Sequence, residues 1–138
     1  MINNNLLQLT YISRISEHVS AAQIEQIHHQ AEKNNARLHI TGVLVLTEHY
    51  FMQLLEGDVT AVQSQFAKIA KDPRHTDVRI VSEKSILTRQ FPDWHMGLTR
   101  TLDHHEHADL AAVINLYGKQ PHFSVQHADA ISLLFRSL

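Results

Sequence analysis

The sequence of 138 residues contains no cysteine. This absence excludes disulfides, thiolate zinc sites, iron–sulfur clusters and thiol nucleophiles together, because each of them depends on a cysteine sulfur. It does not indicate a compartment, since disulfide-free proteins occur in all of them.

Long apolar runs and a stripe of positive charge are also missing. Runs such as Val43 to Leu46 are far shorter than the roughly 20 residues of a membrane-spanning helix. The N-terminal letters MINNNLLQL lack the basic start and apolar centre of a signal peptide. Acidic and basic residues are interspersed and the formal net charge is −2, so nucleic-acid binding has no electrostatic basis. We therefore expect a cytoplasmic protein that binds neither membrane nor nucleic acid.

The residues that are present suit one folded domain with a core. Hydrophobic residues make up 43% of the chain, and nothing in the composition is typical of disorder. The chain has 12 histidines, so its charge is sensitive to pH just below neutrality.

Hydrophobic periodicity predicts five strands and two helices in the first 100 residues. The predicted strands are 6–13, 40–47, 50–56, 78–84 and 93–99, with Trp94, Met96 and Leu98 on one side of the last. The first helix starts at the N-cap Ser20 and ends at Asn34-Asn35; the second starts at Asp58 and stops before Pro73. The order β-α-β-β-α-β with an extra strand predicts a ferredoxin-like α+β fold, with strands one and three central and both helices on one face.

The character of the sequence changes after Arg100. Asp103 and Glu106 are placed to open a helix that runs through Tyr117 and ends at Gly118, and a second short helix is predicted over 124–137. We expect a core over 1–100, a helical extension over 101–138, and packing of the extension on the sheet face opposite the first two helices.

Gln53 stands out, because its neighbours on the same strand face, Phe51 and Leu55, indicate that this face is core. Tyr11 points inward from the adjacent central strand. A buried amide that lacks partners costs on the order of 1–3 kcal/mol. Either the two polar groups satisfy each other, or both contact a polar ligand inserted between the helices.

Other polar positions are equally open. Asn35 suits a helix C-cap in a left-handed conformation, and Asp72, Arg74 and His75 suit a solvated turn. The histidines between His104 and His107 superficially suggest a metal cluster. Adjacent helical residues diverge by about 100°, however, so these histidines, like His28 and His29, are interpreted as surface residues.

Residues 6–100 as a set resemble the BLUF family of flavin-binding blue-light sensors. The resemblance rests on five strings in order: LTYISR, NNARLHITGVL, FMQLLEG, DPRH and FPDWHMGL. Each string is weak alone, but all five at the family's spacing are specific.

The resemblance implies roles for individual residues. Tyr11 and Gln53 match the photochemical hydrogen-bond pair, and Asn35 matches the asparagine that binds the flavin C4 carbonyl. Trp94 and Met96 match a pair that exchanges places beside the glutamine. The remaining residues implied in flavin binding are Ile24, Ile27, Arg37, Phe51, Asp72, Arg74 and His75. Two positions depart from the pattern: Ala31 replaces a serine found in several relatives, and Glu48-His49 forms the hairpin where relatives often have glycine.

The implied function is light sensing without turnover of a substrate. In the family, the tyrosine gives an electron and a proton to the excited flavin, and the glutamine re-pairs by rotating or tautomerising. The cofactor implied by family habit is FAD, with FMN as the alternative. Without cysteine, the flavin–thiol adduct of LOV sensors is excluded. Because no cyclase, phosphodiesterase or DNA-binding segment follows the core, we expect output through the C-terminal helices, a homo-oligomer or a separate signalling protein. The alternatives are a light-insensitive flavin-binding or interaction module and, more remotely, an enzyme on the same fold.

Overall fold

The structure, a computed structural model, describes residues 6–100, 107–136 and 138, with backbone alone for 98–100. Five strands and four helices are present in this part of the chain. The strands are β1 (Leu6–Ile15), β2 (Thr41–Leu46), β3 (Tyr50–Asp58), β4 (His75–Ile86) and β5 (Gly97–Arg100). The helices are α1 (Ala21–Leu38), α2 (Val59–Ala70), α3 (Ala108–Tyr117) and α4 (Val125–Phe135).

The strands form one sheet in the order β4-β1-β3-β2-β5. Strands β1 and β3 are central antiparallel neighbours, and among the described strands only the β2–β5 pair is parallel. This is the ferredoxin-like arrangement that the order of elements predicts, with β5 added at the edge next to β2.

Two helix starts were predicted from local chemistry and are confirmed. The Ser20 hydroxyl accepts from the Gln23 backbone N–H at 3.2 Å, and the Gln23 side chain accepts from the Ser20 N–H at 2.8 Å. Asp58 accepts from Thr60 and Ala61 at the start of α2. These bonds satisfy N–H groups that have no partner within the helix.

The predicted end of α1 at Asn34-Asn35 is wrong. The helix continues to Leu38, and His39 takes the left-handed C-cap with φ 55°. Asn35 stays helical because its side chain is buried against the segment before β5, and its carbonyl accepts from Ile40 N–H at 2.8 Å.

The last predicted strand is also shifted. Strand β5 begins at Gly97, so Trp94 and Met96 lie in the preceding segment and do not share a strand face. That segment is fixed without strand pairing, because Gly42 N–H donates to the Trp94 carbonyl at 2.8 Å and the Trp94 ring stacks on Phe91. Strands β1 and β4 run beyond their predicted bounds, and β4 includes His75.

The sheet separates two cores. One lies under α1 and α2 and contains Leu9, Leu44 and Phe51. The other lies under α3 and α4 and contains Met52, Ile114 and Phe135. The C-terminal helices therefore cover the face opposite α1 and α2, as expected; their proposed start at Asp103 and Glu106 lies outside the described residues. No helix in the described part of the chain is both long and apolar enough to cross a bilayer.

Candidate functional site

A cleft opens between α1 and α2 above the central strands. Its enclosed volume is about 130 Å³. Tyr11, Leu44 and Gln53 form the floor, and Lys68 and Arg74 stand among the lining residues as its cations. The other residues that line it are Ile27, Gln30, Ala31, Asn34, Gln65, Ile69, Asp72 and His75.

Tyr11 and Gln53 are paired directly across β1 and β3. The Tyr11 hydroxyl donates to Gln53 Oε1, and Gln53 Nε2 donates to Met96 Sδ at 3.2 Å. All three side chains are buried. The two polar groups thus satisfy each other, which confirms the first of the two alternatives left open by the sequence, and both also line the cleft.

The surroundings of Tyr11 keep its hydroxyl protonated. Burial, with a smaller contribution from the Asp72 carboxylate, raises the pKa of Tyr11 well above its ordinary value. The ring packs against Phe66 at 5.5 Å between centroids and meets the His75 ring edge-on at 6.2 Å. A proton therefore leaves this phenol only if the driving force is large, as when the ring loses an electron.

His75 is a buried residue, and its interpretation as part of a solvated turn is wrong. It is 8% exposed, packs against Phe51 at 4.8 Å, and its Nδ1 lies 2.8 Å from Ser13 Oγ. Burial lowers the pKa of His75 to about 4; the Asp72 charge opposes this shift and the Arg74 charge adds to it. The imidazole beside Tyr11 is therefore neutral at physiological pH.

An ion pair lies at the edge of the cleft. Arg74 Nη2 is 2.6 Å from Asp72 Oδ2 and donates to Gln30 Oε1 at 3.0 Å. The hydrogen bond from Arg74 lowers the pKa of Asp72. Both side chains are about one quarter exposed, so the pair fixes the turn after α2 and still leaves the guanidinium accessible to an anion.

Asn35 is fully buried in the last turns of α1, one turn after Ala31 in the cleft wall. Its Nδ2 donates to the His95 carbonyl at 3.1 Å, while its Oδ1 has no hydrogen-bond partner. The alternative of a left-handed C-cap is therefore wrong. An unsatisfied buried acceptor is costly in a native protein, which indicates that a donor belongs there.

The remaining predicted residues differ in whether they line the cleft and in how deeply they are buried. Ile27 lines the cleft, while Ile24 packs in the core beneath α1 and Phe51 is buried under His75. Arg37, by contrast, is exposed and does not line the cleft. Trp94 is 40% exposed, whereas Met96 is 4% exposed, so methionine is the member of that pair beside Gln53.

Sequence reasoning missed Gln65 and Lys68 in the cleft wall. With Asp72 they recur at intervals of three and four residues, which places them on one stripe of α2 and its end. That stripe faces the same way as Ile69, so the spacing of these residues in the sequence could have predicted that they line the cleft. His28, interpreted as a surface residue, is partly buried and contacts the Met96 carbonyl.

No set of three or more His, Asp or Glu side chains within 6–100, 107–136 and 138 is placed to hold a metal ion. Most of the histidine-rich segment, from His104 to Glu106, lies outside the described residues.

Comparison with known proteins agrees with this geometry. The sequence profile of the BLUF family, described as "Sensors of blue-light using FAD", matches residues 6–97. The beta subunit of a photoactivated adenylate cyclase from Euglena longa is 39% identical over 93 residues, which cover 67% of this chain and 11% of that protein. The chain thus spans only about a tenth of the length of such curated relatives.

Two solved structures extend the comparison. The dark-state structure of BlrB, a BLUF protein, has a TM-score of 0.81 and 28% identity, covering 99% of this chain and 98% of that one. A bacterial light-regulated adenylyl cyclase has a TM-score of 0.75 and 32% identity, covering 81% of this chain and 33% of that one. The profile match over most of the chain, on a fold that pairs Tyr11 with Gln53, shows that the chain belongs to the BLUF family.

Proposed function

We propose that the chain is a blue-light photoreceptor that binds a flavin non-covalently in the cleft between α1 and α2. The observation that carries the proposal is the buried Tyr11–Gln53 pair on the cleft floor of a BLUF-family chain. It is a sensor, and its own residues move a proton and exchange hydrogen bonds without turning over a substrate.

The residues around the cleft fit an isoalloxazine ring. Ile27, Leu44 and Ile69 offer apolar surface for the ring. The unpaired Asn35 Oδ1 suits the ring's imide N–H, and its Nδ2 suits the adjacent C4 carbonyl. The enclosed 130 Å³ is below the roughly 300 Å³ of typical ligand pockets, so we expect the exposed Lys68 to swing outward on binding.

The polar end of the cleft suits the rest of the cofactor. Lys68 and Arg74 supply positive charge for phosphate groups, and Arg74 presents planar donors. We propose FAD over FMN, in accordance with the family's description, with Asp72, Arg74 and His75 along the ribityl and phosphate side.

The proposed switch follows from the side chains on the floor. A bound flavin supplies blue-light absorption and an electron-accepting excited state. Tyr11 would donate an electron to the excited flavin and release its proton along its existing hydrogen bond to Gln53, and both would return to Tyr11 once the amide has re-paired. Gln53, with a donor and an acceptor end, then reverses by rotation or tautomerisation. A new hydrogen bond from the reversed amide to the flavin carbonyl would move the absorption to the red.

For output we propose a separate protein or a change of oligomeric state, reached through α3 and α4. These helices cover the far face of the sheet whose other face holds Tyr11 and Gln53. They also present exposed apolar side chains, Leu116, Val125 and Leu133. The light-regulated cyclase that shares this fold shows that a BLUF-like unit occurs in a signalling protein.

The test is an absorption spectrum of the purified protein before and after blue light. We expect a yellow protein that releases all its flavin on acid treatment and shows a reversible red shift of the flavin bands. Chromatography of the released cofactor separates FAD from FMN. Bound flavin with no light-induced shift would favour the light-insensitive alternative, and colourless protein that takes up no added flavin would end the proposal.

A further inference from the structure

The segment before β5 is held to α1 by two side chains that lie two helical turns apart. Asn35 Nδ2 donates to the His95 carbonyl at 3.1 Å, and His28 Nε2 lies 2.8 Å from the Met96 carbonyl. Because that carbonyl can only accept, His28 Nε2 must carry the proton and donate.

The His28 side chain is largely buried at this contact. Its side chain is 15% exposed, compared with 75% for the adjacent His29. Its other ring nitrogen, Nδ1, lies 3.5 Å from Glu32 Oε1 one turn further along α1. In the Nε2–H tautomer Nδ1 has no hydrogen to donate to this carboxylate, so the 2.8 Å contact of Nε2 with the Met96 carbonyl is the bond that orients the ring.

Met96 in turn touches the switch. Gln53 Nε2 donates to Met96 Sδ at 3.2 Å while Gln53 Oε1 accepts from Tyr11. A thioether sulfur accepts weakly and donates nothing. If the Gln53 amide reverses, its oxygen faces the sulfur, and two atoms with lone pairs oppose each other. The position of Met96 therefore favours the amide orientation seen in this structure.

We propose that His28 is a positioning residue for the switch: by holding the Met96 carbonyl, it keeps Met96 Sδ against Gln53 and so sets how fast the light state returns to the dark state. The inference rests on the proposed photoreceptor function. It concerns a residue outside the Tyr11–Gln53–Asn35 set.

The test uses two replacements of similar length on flavin-loaded protein. His28→Met removes the donor, and His28→Gln keeps an N–H that can reach the Met96 carbonyl. With His28→Met we expect the red shift to persist and dark recovery to slow by roughly three- to tenfold, the range for losing one hydrogen bond of ordinary net strength. Recovery slows because a loosened Met96 opposes the reversed amide less. His28→Gln should recover within about twofold of the unmodified protein, by the same reasoning.

Two controls separate positioning from general stability. His29→Met changes an exposed histidine on the same turn and should leave recovery unchanged. In a Met96→Leu background, which removes the sulfur, His28→Met should cause no further change, because the two residues act through one contact.

Several results would overturn the inference. One is an unchanged rate of dark recovery in His28→Met. Another is a rate in His28→Gln as slow as that in His28→Met. A third is an equally large effect of His28→Met in the Met96→Leu background. Loss of flavin loading in His28→Met, with normal loading in His28→Gln, would assign the bond to folding and also reject the inference. Absence of any red shift in the unmodified protein would instead be a failure of the photoreceptor proposal.

Discussion

The two faces of the sheet use the same strands for different purposes. At the centre of the face under α1 and α2, the directly paired residues are Tyr11 and Gln53, with His75 and Ser13 close by. At the centre of the face under α3 and α4, the corresponding side chains are apolar, among them Ile12 and Met52.

The face under α3 and α4 keeps a polar network toward one end. The buried Glu56 carboxylate accepts from Gln8 Nε2 and from the backbone N–H groups of Gln90 and Phe91, at 2.8–2.9 Å. This network ties the loop after β4 to the sheet. Both sides of the sheet also hold buried polar atoms without a hydrogen-bond partner: Asn35 Oδ1 beside the cleft, and Gln90 Nε2 and Asn115 Oδ1 on the side of α3 and α4.

The two faces of this one sheet therefore differ in what their side chains can do. Polar groups that can exchange partners lie together beneath the cleft, whereas the far face packs mainly apolar side chains of the strands against α3 and α4. The predictions below test each half of this comparison.

The largest expected effect is complete loss of the light response on changing the pair beneath the cleft. Gln53→Ala removes the group that reverses its donor and acceptor, and Tyr11→Phe removes the electron and proton source while keeping ring packing with Phe66. Both variants should bind flavin yet show no stable red shift in light-minus-dark spectra. A normal shift in both would mean that the chain shares the fold but not the chemistry.

The second prediction concerns how the free energy of unfolding depends on pH, and it rests on a residue of the face under α1 and α2. The pKa of His75 is lowered by burial to about 4, so between about pH 6.5 and 4 the unfolded chain binds a proton that the folded chain does not. The free energy of unfolding should therefore fall as pH drops through this window, by up to about 3 kcal/mol, and this loss is absent above it.

Urea titrations at several pH values check this. His75→Asn, which can still bond Ser13, should remove most of the pH-dependent part. His49→Asn, at a histidine with a 64% exposed side chain, should leave it in place. Equal pH dependence in the His75→Asn variant and the unmodified protein would contradict the assignment.

The third prediction moves to the far face. A Cβ added at Gly118, the C-cap of α3, would lie 2.2 Å from the ring of the buried Tyr50. Gly118→Ala should lower the free energy of unfolding by about 1–3 kcal/mol, the usual cost of overpacking. Because the clash lies across the sheet from Tyr11 and Gln53, the dark absorption spectrum and the size of the red shift should not change.

A second glycine-to-alanine substitution serves as a comparison for the stability loss in Gly118→Ala. At Gly57 an added Cβ has its nearest contacts at 3.3 Å, so Gly57→Ala should be the milder change. The division between the two faces would be refuted if Gly118→Ala altered the dark flavin spectrum as strongly as a change at Gln53.

The smallest expected effect is at Trp94. This residue is 40% exposed and stacks on Phe91, and Met96 occupies the position beside Gln53. Trp94→Ala should retain the red shift, with a stability loss of about 1 kcal/mol from the lost ring stacking. Loss of the shift in this variant would make Trp94 a required member of the network.

Much of the fold followed from local signals in the sequence. The N-cap residues Ser20 and Asp58 predicted the starts of α1 and α2, because their side chains accept hydrogen bonds from backbone N–H groups that have no partner within the helix. The alternation around Tyr11 and Gln53 predicted that both side chains point inward from neighbouring strands, because successive strand residues point to opposite sides. The motif strings pointed to the same pair through family resemblance.

The errors came where tertiary contacts outweighed local preference. An asparagine near a helix end suits a cap, but Asn35 is fixed in the helix by its bond to His95, 60 residues later. Trp94 and Met96 alternate like strand residues, but Gly42 binds the Trp94 carbonyl and the strand starts only at Gly97. No pattern within either segment encodes these partners.

The sequence by itself determined most of the elements and their order, since helix caps and strand alternation act over a few residues, and the motif strings spread over residues 6–100 pointed to Tyr11 and Gln53 as a pair. Only the tertiary structure decided that His75 is buried and neutral, that Met96 and not Trp94 meets Gln53, and that His28 holds Met96. Burial and hydrogen bonding at these residues depend on partners from other elements. Those partners come together only when α1, α2 and the segment before β5 close over the sheet.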